Sequence, residues 1–400
     1  MNPSPALLPL RLLRAAAVVA QEGSASRAAR TLHLSVSAVT RAVQAAEALL
    51  GVALFERGAR GMVPTAAGAV LVQRVHRALA QLVQGAGPTL AQQATEGMLA
   101  AMPALHAGRS ESAAAQLLGI TQPAVHEALR RLEHAARLRL FDRSRTGTRL
   151  TSAGERLLRH VGLAQAELRS AEDELAAFRG AAIGRLSVGA LPMASEVLVP
   201  QALSQLFETD PGLRVTVVDG TYEALLHQLL HGAVDLIVGP LRGERCDPAV
   251  AEEVLFVDRL LPVVRRGHPL LAGPPPRTLR PLLRWPWIGP LPGTPARAAF
   301  ERAFQAAGLA PPAVGLQANS PSVVRAVLLG GDHVALLSTL QIRAELASGA
   351  LQVLAVPVRR TERVIGFTQR CDGLASPACR RLLAALRVVA AASRPPSQAP

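Results

Sequence analysis

The side chains able to do covalent or metal chemistry are few and scattered. The chain has ten histidines and three cysteines, Cys246, Cys371 and Cys379, in 400 residues. The cysteines show no CxxC spacing and read as ordinary reduced thiols. No GxSxG elbow, GxxxxGK(S/T) phosphate loop or HExxH string is present. The nearest approach to the last, His126-Glu127, lacks its second histidine. No catalytic constellation, metal site or cofactor follows, so the expectation is a binding protein, not an enzyme. The abundant reactive group is the guanidinium. All 43 basic residues are Arg and the net charge is +14; high-GC codon bias accounts for the absence of Lys. Residues 1–158 hold 18 Arg against 9 acids, a balance of +9, and residues 159–400 hold 25 against 20, a balance of +5. Arg forks match phosphate and guanine edges bidentately, so the N-terminal part is expected to meet a polyanion.

The elements that would position those arginines occur twice. Ser24 and Ser110 stand 86 positions apart, and at that offset Val18–Leu71 lies on Ala104–Leu157 without a gap. Ser26/Ser112, Ala28-Ala29/Ala114-Ala115, Glu47/Glu133, Leu54-Phe55/Leu140-Phe141, Arg57/Arg143, Thr65/Thr151 and Gly68/Gly154 all coincide. Each copy predicts the same unit. In the first, Ser26 caps a short helix to Leu32, His33-Leu34 turn, and Ser35 caps a second helix carrying Val36, Val39, Val43, Ala46 and Leu50. Two helices joined by so short a turn form a helix-turn-helix. Leu54–Arg57, an Arg/Gly loop and Thr65–Gly68 then predict a β-wing and a capped helix. The second copy runs Ser112 to Leu118, Gly119-Ile120, Thr121 to Glu133, the wing around Ser144–Leu150, and Thr151–Gly154.

These runs resemble the N-terminal signature of LysR-type transcriptional regulators. The second copy carries Gln122-Pro123-Ala124-Val125, Leu132-Glu133, Leu140-Phe141, Arg143 and Leu150-Thr151-x-Ala153-Gly154, departing at His126 and Arg137, where Ser and Gly are usual. The first carries Glu22-Gly23-Ser24, Gly51, Leu54-Phe55, Arg57 and Thr65-x-Ala67-Gly68, departing at Val36, Ser37 and Ala46. Family members ordinarily carry one such module. A recognition helix enters the major groove with its N-terminal residues at base edges. That points to Ser35, Ser37, Thr40, Arg41 and Gln44 in copy one and Gln122, Pro123, His126 and Arg130 in copy two. Wing arginines Arg57, Arg60, Arg143, Arg145 and Arg149 would lie near phosphates or the minor groove. Glu127 stands where copy one has Arg41, and a carboxylate there repels phosphate unless it reads a cytosine amine.

After each wing the pattern predicts a long helix, Thr65–Gln84 and Ser152–Phe178. In the family this helix pairs two subunits; here the two linkers of one chain can pair with each other. From Gly184 the period changes to alternating strands and helices, two βαβ sets with a parallel sheet. Gly184–Gly189, Gly232–Ile237, Arg266–Leu270, Asn319–Ser322 and Val334–Ser338 resemble the family's effector-binding domain, nearest the regulators of sugar-binding-protein and aromatic-acid pathway genes. The fold class is therefore multidomain: two all-α winged helix-turn-helix modules followed by an α/β, periplasmic-binding-protein-like two-lobed domain. The expected domains are 6–64 and 89–151 for the modules, 65–88 and 152–180 for the linker helices, and 181–394 for the sensor. Its lobes are expected at 184–260 with 356–394, and at 261–355. Ligands of open α/β sheets sit beyond the carboxyl ends of the strands, near helix N-termini that favour anions. The candidates there are Met193, Ser195, Thr221, Leu241, Thr294, Ser320 and Ser322, though capping alone explains the type of Ser195, Thr221 and Ser322. Trp287 reads as core.

The resemblance implies double-stranded promoter DNA, a small-molecule effector and other copies of the chain as partners, and leaves RNA polymerase open as another. No apolar run reaches the ~18 residues that span a membrane. The run Ala15–Ala20 is shorter than the ~7–15 residues of a signal h-region, so a cytoplasmic protein is expected. The competing reading is a solute-binding protein that does not act on DNA, which leaves both N-terminal modules unexplained.

Overall fold

The computed structural model describes residues 9–58, 61–144, 147–180 and 184–393. Its N-terminal helical unit begins with α1 (Leu10–Glu22), α2 (Ala25–Leu32), α3 (Val36–Leu50), strands β1 (Phe55–Gly58) and β2 (Gly61–Pro64), and α4 (Ala66–Ala86). A short α5 (Pro88–Gln93) leads to α6 (Glu96–Gly108), α7 (Glu111–Leu118), α8 (Gln122–Ala136), β3 (Phe141–Ser144), β4 (Gly147–Leu150) and α9 (Ser152–Phe178). The offset of 86 relates every element from α6 to the start of α9 to its counterpart, boundary for boundary, and it extends the repeat upstream to Leu10 and Glu96.

Caps explain the boundaries. Ser35 accepts from Ala38 N–H, and Thr121 accepts from Ala124 N–H, at the starts of α3 and α8. The expectation that Ser26 and Ser112 cap the preceding helices is corrected: Ser24 accepts from Arg27 N–H at 3.2 Å and Ser110 from Ala113 N–H at 3.1 Å. Ser24 and Ser110 hold the extended backbone an N-cap requires, whereas Ser26 and Ser112 already lie inside helices. Val36, expected on the buried stripe, is exposed; Val39, Val43, Ala46 and Leu50 are buried. The turns need left-handed backbone at matched positions, φ 53° at His33 and 65° at Gly119, and 67° at Gly51 and 52° at Arg137.

The repeated Glu, Leu-Phe and Thr-x-Ala-Gly residues form one joint. Glu47 Oε1 accepts from Leu54 and Phe55 N–H, and Glu133 Oε1 accepts from Leu140 and Phe141 N–H. Thr65 donates its hydroxyl to Ala53 O and accepts from Gly68 N–H; Thr151 does the same with Arg139 O and Gly154 N–H. Glycine is required at the joint because a Cβ at 68 would lie 2.0 Å from Leu54 O and one at 154 would lie 2.3 Å from Leu140 O.

The two linker helices pack along each other, as their apolar stripes predict. Arg74, 1 % exposed, donates to Glu167 Oε2 at 2.6 Å and, through Nε, to Glu174 Oε1 at 3.0 Å. Arg77 Nε adds a bond to Glu167 Oε1. His160 Nδ1 lies 2.9 Å from Gln81 Oε1. One continuous apolar core runs from Leu10 through both modules and both linkers to Leu175.

The C-terminal unit contains β5 (Arg185–Ala190), α10 (Pro192–Glu196), α11 (Leu198–Thr209), β6 (Arg214–Asp219), α12 (Tyr222–Leu230), β7 (Leu236–Pro240) and β8 (Val250–Arg265). There follow β9 (Trp287–Gly289), α13 (Pro295–Ala306), β10 (Val314–Gln317), α14 (Pro321–Gly330), β11 (Val334–Ser338), α15 (Arg343–Ala347), β12 (Leu351–Val353), β13 (Glu362–Arg370) and α16 (Pro377–Ala392). The strands order as β10-β9-β11-β8-β13-β7-β5-β6, with β12 also on β8. The sheet is mixed: the parallel pairing expected of the βαβ sets is joined by two antiparallel strands. β5 with β7 and β9 with β10 and β11 are parallel, but β8 and β13 run antiparallel to their neighbours. β8, which the alternation argument does not predict, pairs with β13 up to Arg259 and with β11 and β12 from Leu260, so a single strand serves both halves. Trp287 is core: it is fully buried, its Nε1 donates to Leu282 O, and it meets Phe300 and Phe304 edge-on.

Candidate nucleic-acid interface and effector cavity

In each module the second helix of the helix-turn-helix presents its first turns to solvent. In copy one, Ser35, Ser37, Arg41 and Gln44 are exposed and Thr40 is half-buried. Ser35 is both the cap and a partner of Ser37, with their hydroxyls 3.0 Å apart. Arg41 has no ion pair among the described residues, so its guanidinium is available to an incoming anion. In copy two, Gln122, Pro123 and Arg130 are exposed and His126 is half-buried. There the charges are already engaged. Glu127 accepts from Arg130 at 2.9 Å and from Arg131 at 2.7 Å, and these bonds pull its carboxyl down to about 2. His126 Nδ1 sits 3.1 Å from Glu111 Oε2. Arg131 was not among the sequence candidates; its position four residues after Glu127 is the signal that reveals it. Of the wing arginines, Arg149 is exposed. Arg60 and Arg145, and the side chains of Arg57 and Arg143, lie outside the described residues.

The C-terminal unit holds a cavity of ≈ 240 Å³ at the carboxyl ends of β5, β7 and β9. Met193, Thr221 and Thr294 line it; Ser195, Leu241, Ser320 and Ser322 are not among its lining residues. Ser195 sits inside α10 and donates to Pro192 O. Leu241 is bound through its backbone to Val364 O. Ser320 and Ser322 hydroxyls satisfy each other at 3.0 Å. Thr221 and Thr294 also cap, accepting from Ala224 and Arg297 N–H.

The charged lining comes from residues that sequence reasoning did not single out. Arg325 is neutralised by Glu196 and Glu345, and Arg363 by a buried contact to Asp258, whose other oxygen accepts from Ser338 at 2.7 Å. Arg242 has no ion pair among the described residues. It stacks over the Tyr222 ring at 4.2 Å from the centroid. Its Nη1 and the Tyr222 hydroxyl are both buried without a hydrogen-bond partner. Burial lowers the Arg242 pKa and pushes the Tyr222 hydroxyl up to about 12, so at neutral pH that hydroxyl is a donor. Leu191, Pro240, Leu260, Pro290 and Ile342 give the cavity apolar walls. Among the described residues no cluster of three or more His, Cys, Asp or Glu could hold a metal ion, and no helix is long and apolar enough to cross a membrane.

Comparison with known proteins matches these parts. The family model described as bacterial regulatory helix-turn-helix protein, lysR family, matches residues 10–69 and again 97–155, and the LysR substrate binding domain matches 179–391. The chain therefore belongs to the LysR family of DNA-binding transcriptional regulators, with an effector-binding domain at its C-terminal end. It is similar to the HTH-type transcriptional regulator GalR of Pseudomonas putida KT2440, 35% identical over 387 residues, 95% of this chain and 97% of the relative. Coverage on that scale includes both modules. The regulator PcaQ of Agrobacterium fabrum is 31% identical over 277 residues, 69% of this chain and 89% of its own. Among solved structures, ArgP from Mycobacterium tuberculosis shares the fold with TM-score 0.55 at 21% identity, covering 73% of this chain and 96% of that one.

Proposed function

We propose that both modules read promoter DNA and that the sensor takes a small anion with a largely apolar body. Its charged end would accept from Arg242 Nη1 and the Tyr222 hydroxyl. The observation that carries the sensor reading is the pair of unsatisfied, buried donors, Arg242 Nη1 and Tyr222 Oη, in one apolar-walled cavity. A buried polar group without a partner costs about 1–3 kcal/mol, which a bound carboxylate would recover. The cavity is smaller than the ~300–1,000 Å³ of drug-sized ligand sites, which favours a small acid. The relatives GalR and PcaQ are regulators, which supports a regulatory rather than an enzymatic role. On this reading the candidate residues Met193, Thr221 and Thr294 shape the site, and Ser195, Leu241, Ser320 and Ser322 hold its surrounding loops. The DNA contacts are Arg41 and Gln44 with Ser35, Ser37 and Thr40, then Gln122, Pro123, His126 and Arg130, with the wing arginines on phosphates.

The test is thermal unfolding against aromatic and branched aliphatic carboxylates and their neutral amides. A carboxylate present at 100 times its Kd should stabilise by about 2.7 kcal/mol. Amides should do nothing, and Arg242→Met should abolish the shift. Equal stabilisation by acid and amide would contradict the anionic reading.

A further inference from the structure

We propose that one copy of this chain is a complete reader of two DNA half-sites, and that the site it reads is not a palindrome. The inference rests on the reading that both modules bind DNA. It comes from a reciprocity in the linker contact. At the offset of 86, Arg74 corresponds to His160 and Gln81 to Glu167. Arg74 of the first linker meets Glu167 of the second, and Gln81 of the first meets His160 of the second. Position i of copy one touches position j of copy two, and position j of copy one touches position i of copy two. That exchange is the mark of an isologous two-fold interface, here built from two segments of one chain.

The chemistry of the exchanged pairs makes the interface heterotypic. One contact is ionic and buried, Arg74 with Glu167 and Glu174; the other sets an imidazole nitrogen of His160 against the Gln81 amide oxygen. Two first linkers brought together would set each Arg74 against a Gln81, with no carboxylate. Two second linkers would set each Glu167 against a His160, with no guanidinium. Burying Arg74 without a carboxylate opposes pairing of two first linkers, and pairing of two second linkers forgoes the Arg74–Glu167 and Arg74–Glu174 contacts. The connection between the modules is tied to both of them: Arg14 of α1 donates to Ala94 O, and α5 packs against α8. The core is continuous across the pair.

The surfaces that this two-fold would offer DNA are unequal. Among the described residues Arg41 is without an ion pair where Glu127 engages Arg130 and Arg131, and Ser35-Val36-Ser37 replaces Thr121-Gln122-Pro123. A partner that fits both must differ between its halves. Major-groove reading by such a pair places the half-sites ~34–36 Å apart, one helical turn.

Two arms test this on the full chain. In the first, Gly85→Cys with His160→Cys is made in a Cys246→Ala, Cys371→Ala background. A Cβ at 85 would lie 2.9 Å from His160 Cβ, somewhat inside the ~3.5–4.5 Å of a disulfide, so a small outward shift seats the bond. Oxidation should give a cross-linked monomer on a non-reducing gel. A disulfide-linked dimer would overturn the pairing in cis. In the second, the site selected from genomic DNA is rebuilt as two palindromes, each repeating one half. Each should bind at least about tenfold more weakly than the natural site, the cost of even one mismatched base pair. A palindrome bound as tightly as the natural site would show two chains each using one module and overturn the proposal. If no duplex is selected at all, the DNA reading fails and the operator claim with it, while the gel still reports the linker pairing.

Discussion

Arg74 and Glu167 join the two linker helices through a buried ion pair, with Arg74 1 % exposed and the contact at 2.6 Å. Removing one side of such a pair leaves an uncompensated buried charge, at a cost of about 3–5 kcal/mol. Arg74→Met should destabilise the helical unit by that amount, read from urea unfolding of the full chain followed by far-ultraviolet circular dichroism. Adding Glu167→Leu and Glu174→Leu should recover most of the loss. A single Arg74→Met variant as stable as the parent would show that the ion pair does not hold the linkers.

The joint between wing and linker predicts matched sensitivity in the two copies. Gly68→Ala and Gly154→Ala each drive a methyl into a main-chain carbonyl, at 2.0 Å and 2.3 Å. Each should cost at least the ~1–3 kcal/mol of overpacking, since backbone cannot move aside as a flexible side chain can. Gly58→Ala, with open space around its Cβ, is the control. If either helix glycine tolerates alanine as well as position 58 does, the close approach is not a constraint.

Much of this was legible in the sequence, and the exceptions have physical causes. The tandem modules were readable because their caps, turns and apolar stripes are local, and because an 86-residue offset repeated them. Ser24 and Ser26 both have capping chemistry, and only the backbone conformation decides between them. β8 is hard to read from the sequence because it is not a half-buried strand with clean alternation. Leu260, Val263 and Val264 are covered in one half, while Glu252 in the other accepts from the backbone N–H of Arg242 and Gly243. Five of the seven effector candidates are hydroxyls near helix starts; Thr221 and Thr294 are occupied with capping, Ser195 bonds to Pro192 O, and Ser320 and Ser322 bond to each other. Arg242 and Tyr222 are twenty residues apart, and only the fold sets the guanidinium on the ring.

Glu127 restrains the DNA-facing arginines of copy two. Glu127→Gln should release Arg130 and Arg131, tighten binding to non-specific duplex and steepen the salt dependence. Each added phosphate contact increases the slope of log affinity against log salt by about 0.9. Parallel titrations of the two proteins between 50 and 200 mM salt would show it. Identical slopes would mean that neither arginine is withheld from phosphate.

Effector binding should be independent of pH between about 6 and 9. Tyr222, raised to about 12, keeps its proton throughout that window, Arg242 keeps its charge, and no histidine lines the cavity among the described residues. Loss of affinity is expected only as the pH approaches 12 and the phenol ionises. Calorimetric titration of an identified carboxylate ligand across pH 6 to 9 checks this. A tenfold change inside that window would contradict this, and Tyr222→Phe should weaken binding at every pH within it.

The central claim is that both modules of one chain engage DNA, and footprinting on the selected site tests it most directly. The wild-type protein should protect two segments about one helical turn apart. Arg41→Ala with Gln44→Ala should lose protection over one segment, and His126→Ala with Arg130→Ala should lose it over the other. If the Arg41/Gln44 variant leaves the whole footprint and the affinity intact, the first module only packs against the second and the two-module account is wrong.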